Sequence, residues 1–375
     1  MKNKIKFNSF YSSSNYTKNL EKLFSDYDLF RKKHFSNKCI NLLQKTYSEA
    51  NLWLTHSATG ALEMIALALN IKEGDEIILP SYTFVSTANA FALRGAKLVF
   101  VDIELDTFGI DPQLVEQAIT KKTKAIVCMH YAGHACKIDE LVKIAKKNKL
   151  YLIEDAAMAF GSTYKNKPLG TFGDFGVVSF DITKHIVAAQ GGLLVCNNKK
   201  FSEVLNNTYH LGTNRVAFEK GNIPYYEWVS LGSKYQMPEL NSVVLYEQLK
   251  QQEKILKKRV EISKQYYNEL KNIKSIKIID ESKLNNNVHE FYILCQSEDE
   301  RKSLNKFLAK NNIEAMFHYI PLHNSKFGKE IGTFVGLNNT KLVSEGLLRL
   351  PLHNNLTKKE VLFVCNKIKE FFKHE

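Results

Sequence analysis

The chain has 375 residues, 44% hydrophobic and 24% charged, an ordinary globular composition that excludes disorder, collagen and coiled coil. At roughly 150 residues per domain the length predicts two domains, or one large α/β unit with an appendage. The net charge of +13 would suit an anionic ligand or nucleic acid, but short dispersed runs such as Lys121-Lys122 and Lys146-Lys147 read as an evenly solvated surface.

No apolar run nears the ~18 residues of a membrane span. Residues 1–19 are polar and lack the apolar stretch of a secretory signal, so a cytoplasmic protein without membrane or nucleic-acid partners is expected. Six cysteines, at 39, 128, 136, 196, 295 and 365, form no CxxC pair and no Cys/His spacing suited to zinc. No metal is expected.

Residues 1–50 read as helical in parts. From 52 to 200, β-branched runs alternate with amphipathic stretches. Strands are predicted at 76–79, 97–102, 125–129, 150–154, 177–180 and 193–196. Helices are predicted at 61–69, 86–93, 112–119 and 139–147. This is the pattern of βα units around a mostly parallel sheet. After residue 238 come long helices to 272, strands at 275–279 and 290–295, and helices at 300–311 and 358–372. The chain thus divides into a large domain (1–250, with the helical segment 1–50) and a small α+β domain (251–375).

Ligands of such sheets sit beyond the carboxyl ends of the strands. Three stretches place reactive residues there. LIEDAA (152–157) ends an apolar strand in two carboxylates, VSFDITK (178–184) runs a strand into a lysine, and LTHSATG (54–60) opens a helix with small hydroxylic residues. Taken singly, Asp155 reads as a turn cap, Lys184 as an exposed surface lysine and Ser57 as a helix cap.

Together they point to pyridoxal phosphate. That cofactor needs a lysine for its aldehyde, an anion beside its ring nitrogen and a cup for its phosphate. Lys184 and Asp155 fill the first two roles. The Ala58 and Thr59 backbone, with the Thr59 and Ser179 hydroxyls, forms a phosphate site at a helix N-terminus.

From residue 50 onward the sequence resembles the DegT-type sugar-nucleotide aminotransferases. The resemblance rests on PSYTFVSTANA (80–90), GAKLVFVD (95–102), MHYAG (129–133), EDAA (154–157), Ser179-Phe180 with Thr183-Lys184, and Gly191-Gly192. In the C-terminal half GTNR (212–215), FHYIPLH (317–323) and LRLPL (348–352) look most like the members that make 4-amino-4,6-dideoxygalactose on dTDP. The fold implied is the α/β fold type I of pyridoxal-phosphate-dependent transferases, aspartate aminotransferase-like, with a mostly parallel, mixed seven-stranded sheet and a smaller α+β domain.

The resemblance also implies roles. Phe84 stacks on the pyridine ring, Asp155 pairs with its nitrogen and Lys184 binds its aldehyde, while Ala58, Thr59 and Ser179 hold phosphate. Gln236 reaches the partner subunit's phosphate, so a homodimer with shared active sites is implied. His318, Tyr319 and His323, with His185 beside the lysine, fall where the family meets its sugar nucleotide. Four departures stand out. Met158 replaces a Gln or His that contacts the cofactor's phenolic oxygen, and Met makes no strong hydrogen bond. His185 replaces a common Asn, Gln190 a common Glu, and a basic segment (30–35, FRKKHF) a glycine-rich one.

The activity implied is transfer of an amino group from L-glutamate to a 4-keto-6-deoxy sugar nucleotide, with Arg31, Lys32 and Lys33 helping to hold the diphosphate. A 3-aminotransferase or a sugar dehydratase of the same fold is the alternative. Dehydratases usually carry His in the lysine's place, so Lys184 speaks against them, although His185 stands next to it. A basic nucleic-acid-binding protein is the remote third reading.

Overall fold

The computed structural model describes residues 4–13, 15–285 and 287–373. Three helices, α1 (Asn15–Ser25), α2 (Tyr27–Arg31) and α3 (His34–Leu43), precede β1 (Asn51–Thr55). Then α4 (Ala58–Ala68), β2 (Glu76–Pro80), α5 (Val85–Ala92), β3 (Lys97–Val101), α6 (Pro112–Ala118), β4 (Thr123–Met129), α7 (Ile138–Asn148) and β5 (Tyr151–Asp155) alternate. A small hairpin, β6 (Thr163–Tyr164) and β7 (Lys167–Pro168), leads to β8 (Phe175–Ser179), β9 (Gly192–Cys196), α8 (Ser202–Tyr209) and α9 (Arg215–Glu219). The remainder comprises α10 (Glu239–Lys250), α11 (Gln252–Leu270), β10 (Lys277–Ile278), β11 (Phe291–Leu294), α12 (Glu298–Lys310), β12 (Met316–Phe317), α13 (Lys326–Ile331), β13 (Gly332–Val335), α14 (Asn338–Gly346), β14 (Leu347–Leu350) and α15 (Lys358–Lys373).

The main sheet has the order β1-β9-β8-β5-β4-β2-β3-β13. From β8 to β13 all neighbours are parallel, and β9 runs antiparallel to both β8 and β1. β1 therefore points the same way as the parallel strands, and its carboxyl end shares their edge. The strand count corrects the seven expected: among the described residues this sheet has eight. β13 adds in parallel to the free side of β3, from Gly332↔Leu98 to Val335↔Val101. Four residues with Phe334 exposed carry little local strand signal; the unpaired backbone of β3 decides their place.

Both faces of the sheet are covered. Residues of α4, α5 and α8 pack with Ile77, Val127, Ile153 and Val177, and residues of α6 and α7 pack with Ile78, Ile126 and Leu152. β5 shows the alternation that sets the site, since successive side chains leave opposite faces. Asp155 shares the face of Ile153, and Glu154 that of Leu152. The second sheet, β10-β11-β14-β12, is antiparallel. Its apolar residues pack with Tyr266 of α11, Leu304 of α12 and Val361 of α15. Among the described residues no helix is long and apolar enough to cross a membrane.

Candidate active site

The carboxyl edge of the main sheet opens into a cavity of about 710 Å³. Ser57 caps α4, its Oγ accepting from Gly60 N at 3.0 Å. The Ala58 and Thr59 amides lie in the first turn, where a helix gives its N–H groups no partner, and both residues line the cavity. β9 passes so close beneath this turn that a Cβ on Gly192 would lie 2.4 Å from Ala58 N. Only glycine fits there. Ser179, opposite Gly192 in the ladder, brings its hydroxyl to the same end. An open helix N-terminus with hydroxyls beside it attracts an anion.

Asp155 ends β5 and is buried. Its Oδ2 accepts from Thr87 Oγ1 at 2.6 Å and its Oδ1 from Ala157 N at 3.1 Å. Each carboxylate oxygen retains a further lone pair for a cationic or N–H partner. Its neighbour Glu154 does a different job. It faces the other side of the sheet and accepts from Gly170 N, Phe172 N, Gly173 N and His130 Nε2 at 2.6–2.9 Å. Glu154 fastens a loop; Asp155 faces the cavity.

Lys184 follows a turn tied by Asp181, whose Oδ1 accepts from Thr183 N at 2.9 Å and Thr183 Oγ1 at 2.8 Å. Its side chain lines the cavity and is half-buried, not exposed as a surface lysine would be. Burial lowers its amine below the ordinary 10.5, against the pull of Glu290, Asp155 and Asp181. No hydrogen bond among the described residues engages its Nζ.

The opposite wall comes from the second sheet. Glu290, just before β11, pairs with Arg349 of β14, and Arg349 Nη2 donates to Phe317 O at 3.0 Å. Burial would raise the Glu290 carboxyl, but the Arg349 guanidinium, which also donates to it, and the Lys184 amine hold it below its ordinary value. Burial pushes His318 itself down to about 3, so that ring is neutral, and Tyr131 Oη lies 2.8 Å from its Nδ1. The wall is thus an anchored ion pair with polar rings round it.

Ala58, Thr59, Phe84, Asp155, Met158, Ser179, Lys184, His318 and Tyr319 all line this one cavity. Three other expected residues do not. His185 is buried behind Lys184, with Nε2 2.9 Å from Phe160 O. His323 turns to Ser81 at 2.6 Å and borders a separate outer cleft. Gln236 lies outside and bonds His210 Nδ1 at 2.8 Å. The basic segment lies outside too, with Arg31 and Lys32 both paired to Asp28.

Sequence reasoning missed His289, Glu290 and Arg349. An arginine among the leucines of Leu347–Leu350 was the available signal. It also missed a buried cluster in which one ligand atom each from Cys128, His130 and Cys136 lies within 4.8 Å of the others. In that cluster His130 is already engaged, through Nε2 with Glu154 and through Nδ1 with Cys136 N at 3.3 Å.

Residues 35–369 match the DegT/DnrJ/EryC1/StrS aminotransferase family. The chain belongs to that family. MJ1066 of Methanocaldococcus jannaschii, an uncharacterized protein, is 37% identical over 327 residues, 84% of either chain. The GDP-perosamine synthase of Escherichia coli O157:H7 is 32% identical over 368 residues, 91% of this chain and 96% of that one. Two solved structures at lower identity show the fold. Helicobacter pylori PseC, an aminotransferase involved in the biosynthesis of pseudoaminic acid, has a TM-score of 0.89 at 24% identity, covering 99% of this chain and 100% of its own. A 3-amino-5-hydroxybenzoic acid synthase has a TM-score of 0.85 at 21%, with the same coverage.

The protein is an aminotransferase of fold type I, and its cofactor is pyridoxal phosphate. The cavity fits that group: amide and hydroxyl donors at one end suit its phosphate, a held carboxylate its ring nitrogen, and a half-buried amine its aldehyde.

Proposed function

We propose that this aminotransferase moves an amino group from L-glutamate to a keto-deoxysugar carried on a nucleotide. The preferred pair is dTDP-4-keto-6-deoxy-D-glucose giving dTDP-4-amino-4,6-dideoxy-D-galactose, made in the cytoplasm for a cell-surface glycan such as the O-antigen of lipopolysaccharide. One observation carries the chemical core of this reading: Lys184, Asp155 and the open first turn of α4 line a single cavity.

Bound pyridoxal phosphate supplies an electron sink for the carbanion formed when a substrate carbon loses its proton. The chain's residues do the rest. The Ala58 and Thr59 amides, with the Thr59 and Ser179 hydroxyls, bind the phosphate. Asp155, held by Thr87 and Ala157, keeps the ring nitrogen protonated. Phe84 covers the ring face and Met158 stands near the phenolic oxygen. Lys184 binds the aldehyde and, once released, carries a proton to or from the substrate carbon. Its lowered amine suits that task, because a neutral fraction is available nearer neutral pH. His318, Tyr319 and the Glu290–Arg349 pair give the sugar side a polar wall.

The protein is proposed to work as a homodimer. Gln236 and His210 lie on a face with exposed Leu211, Trp228 and Leu231, and Trp228 alone is 76% exposed. Lys33, Glu219 and Arg215 act electrostatically on His210 there, and Arg215 is paired with Glu219, so the face is apolar with charges of both signs beside it. In the proposed dimer a second copy covers this face, and Gln236, which lies outside its own cavity, reaches the partner's phosphate as the family resemblance implies. The dehydratase reading loses its support, since His185 lies behind Lys184 and does not line the cavity.

Mass spectrometry of products from dTDP-, GDP- and UDP-linked keto sugars with glutamate tests the reading. Amination of a dTDP-linked 4-keto sugar, absent in Lys184→Ala, is the expected result. Turnover confined to GDP-linked sugars would move the nucleotide to the kind named for the E. coli relative. Turnover of free keto acids but no sugar nucleotide would overturn the proposal.

A further inference from the structure

Residues 4–10 come before α1 and run beside the cavity, which Phe7 and Asn8 line. They are fastened next to the second sheet. Ile5 N donates to Asn312 O at 2.8 Å, Glu314 N to Ile5 O at 3.0 Å and Leu352 N to Phe7 O at 3.2 Å. The Glu314 carboxylate accepts from Phe7 N at 2.9 Å, and Asn355 Nδ2 donates to Phe10 O at 3.1 Å. One residue later the chain is held from the other side. Tyr11 O accepts from Gln248 Nε2 of α10 at 2.8 Å, and Leu245 and Leu249 of that helix pack with Val178 of the main sheet.

Two neighbouring side chains of this segment reach the two facing walls. The Phe7 ring lies 5.0 Å from the Arg349 guanidinium. Asn8 Nδ2 donates to Thr183 O at 3.1 Å, in the turn that carries Lys184. The second bond of Asn8 settles how its amide is turned. Ser9 N can only donate, so the atom 2.9 Å from it is Oδ1, and the amide nitrogen faces Thr183.

Thr183 O belongs to the peptide unit whose nitrogen is that of Lys184. Such a unit is planar and contains the Lys184 Cα. Asn8 holds its oxygen, and on the other side Lys184 N donates to Asp181 O at 2.9 Å. A plane held on both sides fixes the point from which the lysine side chain starts.

We propose that residues 4–10 form a strap beside the cavity and that Asn8 is a positioning residue for Lys184, acting through the Thr183 carbonyl. Seated on Arg349 through Phe7, the same strap sets the lysine relative to the wall opposite. The proposal rests on Lys184 being the lysine that binds the cofactor.

The Asn8–Thr183 bond is exposed, so its loss should leave the fold in place. Asn8→Leu keeps the shape without a donor, and Asn8→Gln keeps a donor. In the cofactor-free protein, hydrogen exchange of the amides of residues 182–185 should quicken about threefold or more in the Leu variant, the size of one modest hydrogen bond. In the loaded protein the Leu variant should slow both half-reactions about fivefold per bound cofactor, with KM for glutamate unchanged. Its cofactor band should also lose circular dichroism, and the Gln variant should recover most of each property. Unchanged exchange and rates in Asn8→Leu overturn the strap, as does a Gln variant that behaves like Leu. Faster exchange with unchanged rates makes the contact structural only, and a higher KM at constant kcat makes Asn8 a substrate contact; either result overturns the positioning role. Borohydride reduction separates this from the underlying reading: fixation on Lys184 with an indifferent Leu variant sinks the strap alone, and no fixation on Lys184 sinks the lysine assignment as well.

Discussion

The Thr87 hydroxyl donates a 2.6 Å hydrogen bond to Asp155 Oδ2, joining the first turns of α5 to the last residue of β5. Thr83 Oγ1 lies 2.9 Å from the same hydroxyl, so a short buried chain of oxygens orients the carboxylate. Thr87→Val keeps the shape and removes the donor. A buried hydrogen bond to a charged acceptor contributes about 1.5–3 kcal/mol, and that loss should be seen in urea unfolding. Asp155→Asn should leave the cofactor bound and slow both half-reactions at least about tenfold, because a neutral amide does not favour the protonated ring. Stopped-flow absorbance with glutamate checks it; an unchanged rate would remove Asp155 from the site.

Lys184 carries a pH signature in stability. Its folded value lies below 10.5 because of burial, while the unfolded chain has the ordinary value. Between the two values the unfolded chain binds the extra proton, so stability rises with pH. Below both, the buried ammonium is a constant cost. Lys184→Met removes that cost. It should raise the urea midpoint at neutral pH, with an advantage that fades as pH approaches 10.5, while turnover is lost. A less stable variant at neutral pH would contradict the burial argument.

Much of the site could be read along the chain because βα units put their reactive residues at one edge by construction. Each of Ala58, Phe84, Asp155, Ser179 and Lys184 follows or ends a strand, and strand direction alone gathers them. What escaped depends on pairing across distance. Glu290 and Arg349 meet because β11 pairs with β14 over some sixty residues, from Phe291↔Leu350 to Leu294↔Leu347. No local period encodes that register. β13 escaped for the same reason, having little strand pattern of its own. His185 was misplaced because adjacency to Lys184 in sequence says nothing of depth: the turn sends one side chain into the cavity and the next into the core.

Glu154 offers a test of structure without chemistry. Its carboxylate accepts from three backbone N–H groups of residues 170–173 and from His130, all within 2.9 Å. Glu154→Ala leaves those donors unpaired inside the protein. The expected loss is about 3–5 kcal/mol, the usual cost of removing one partner from a buried charged network. Activity per folded molecule should persist where the variant still folds, because Asp155 is held by Thr87 and Ala157 rather than by Glu154. A loss below about 1 kcal/mol in urea unfolding would mean that the loop finds other partners.

Met158 is buried, lines the cavity with Asp155 and Ala157, and lies two residues past the β5 loop start at Ala156. Its thioether is at most a weak acceptor, so the phenolic oxygen of the cofactor receives no strong hydrogen bond from this position. That oxygen carries negative charge in the reactive form, and a donor to it stabilises the ionised state. Met158→Gln supplies such a donor with nearly the same length of side chain. Charge-assisted hydrogen bonds are roughly twice as strong as neutral ones, so the change should lower the pH midpoint of the cofactor's absorbance and slow the cofactor's release on dialysis. The fold should survive, since Gln is accommodated where one end reaches the cavity. Met158→Leu is the control: it keeps the packing, adds no donor and should leave the midpoint in place. Superimposable pH titrations for the parent protein and Met158→Gln would show that this side chain only fills space beneath the ring.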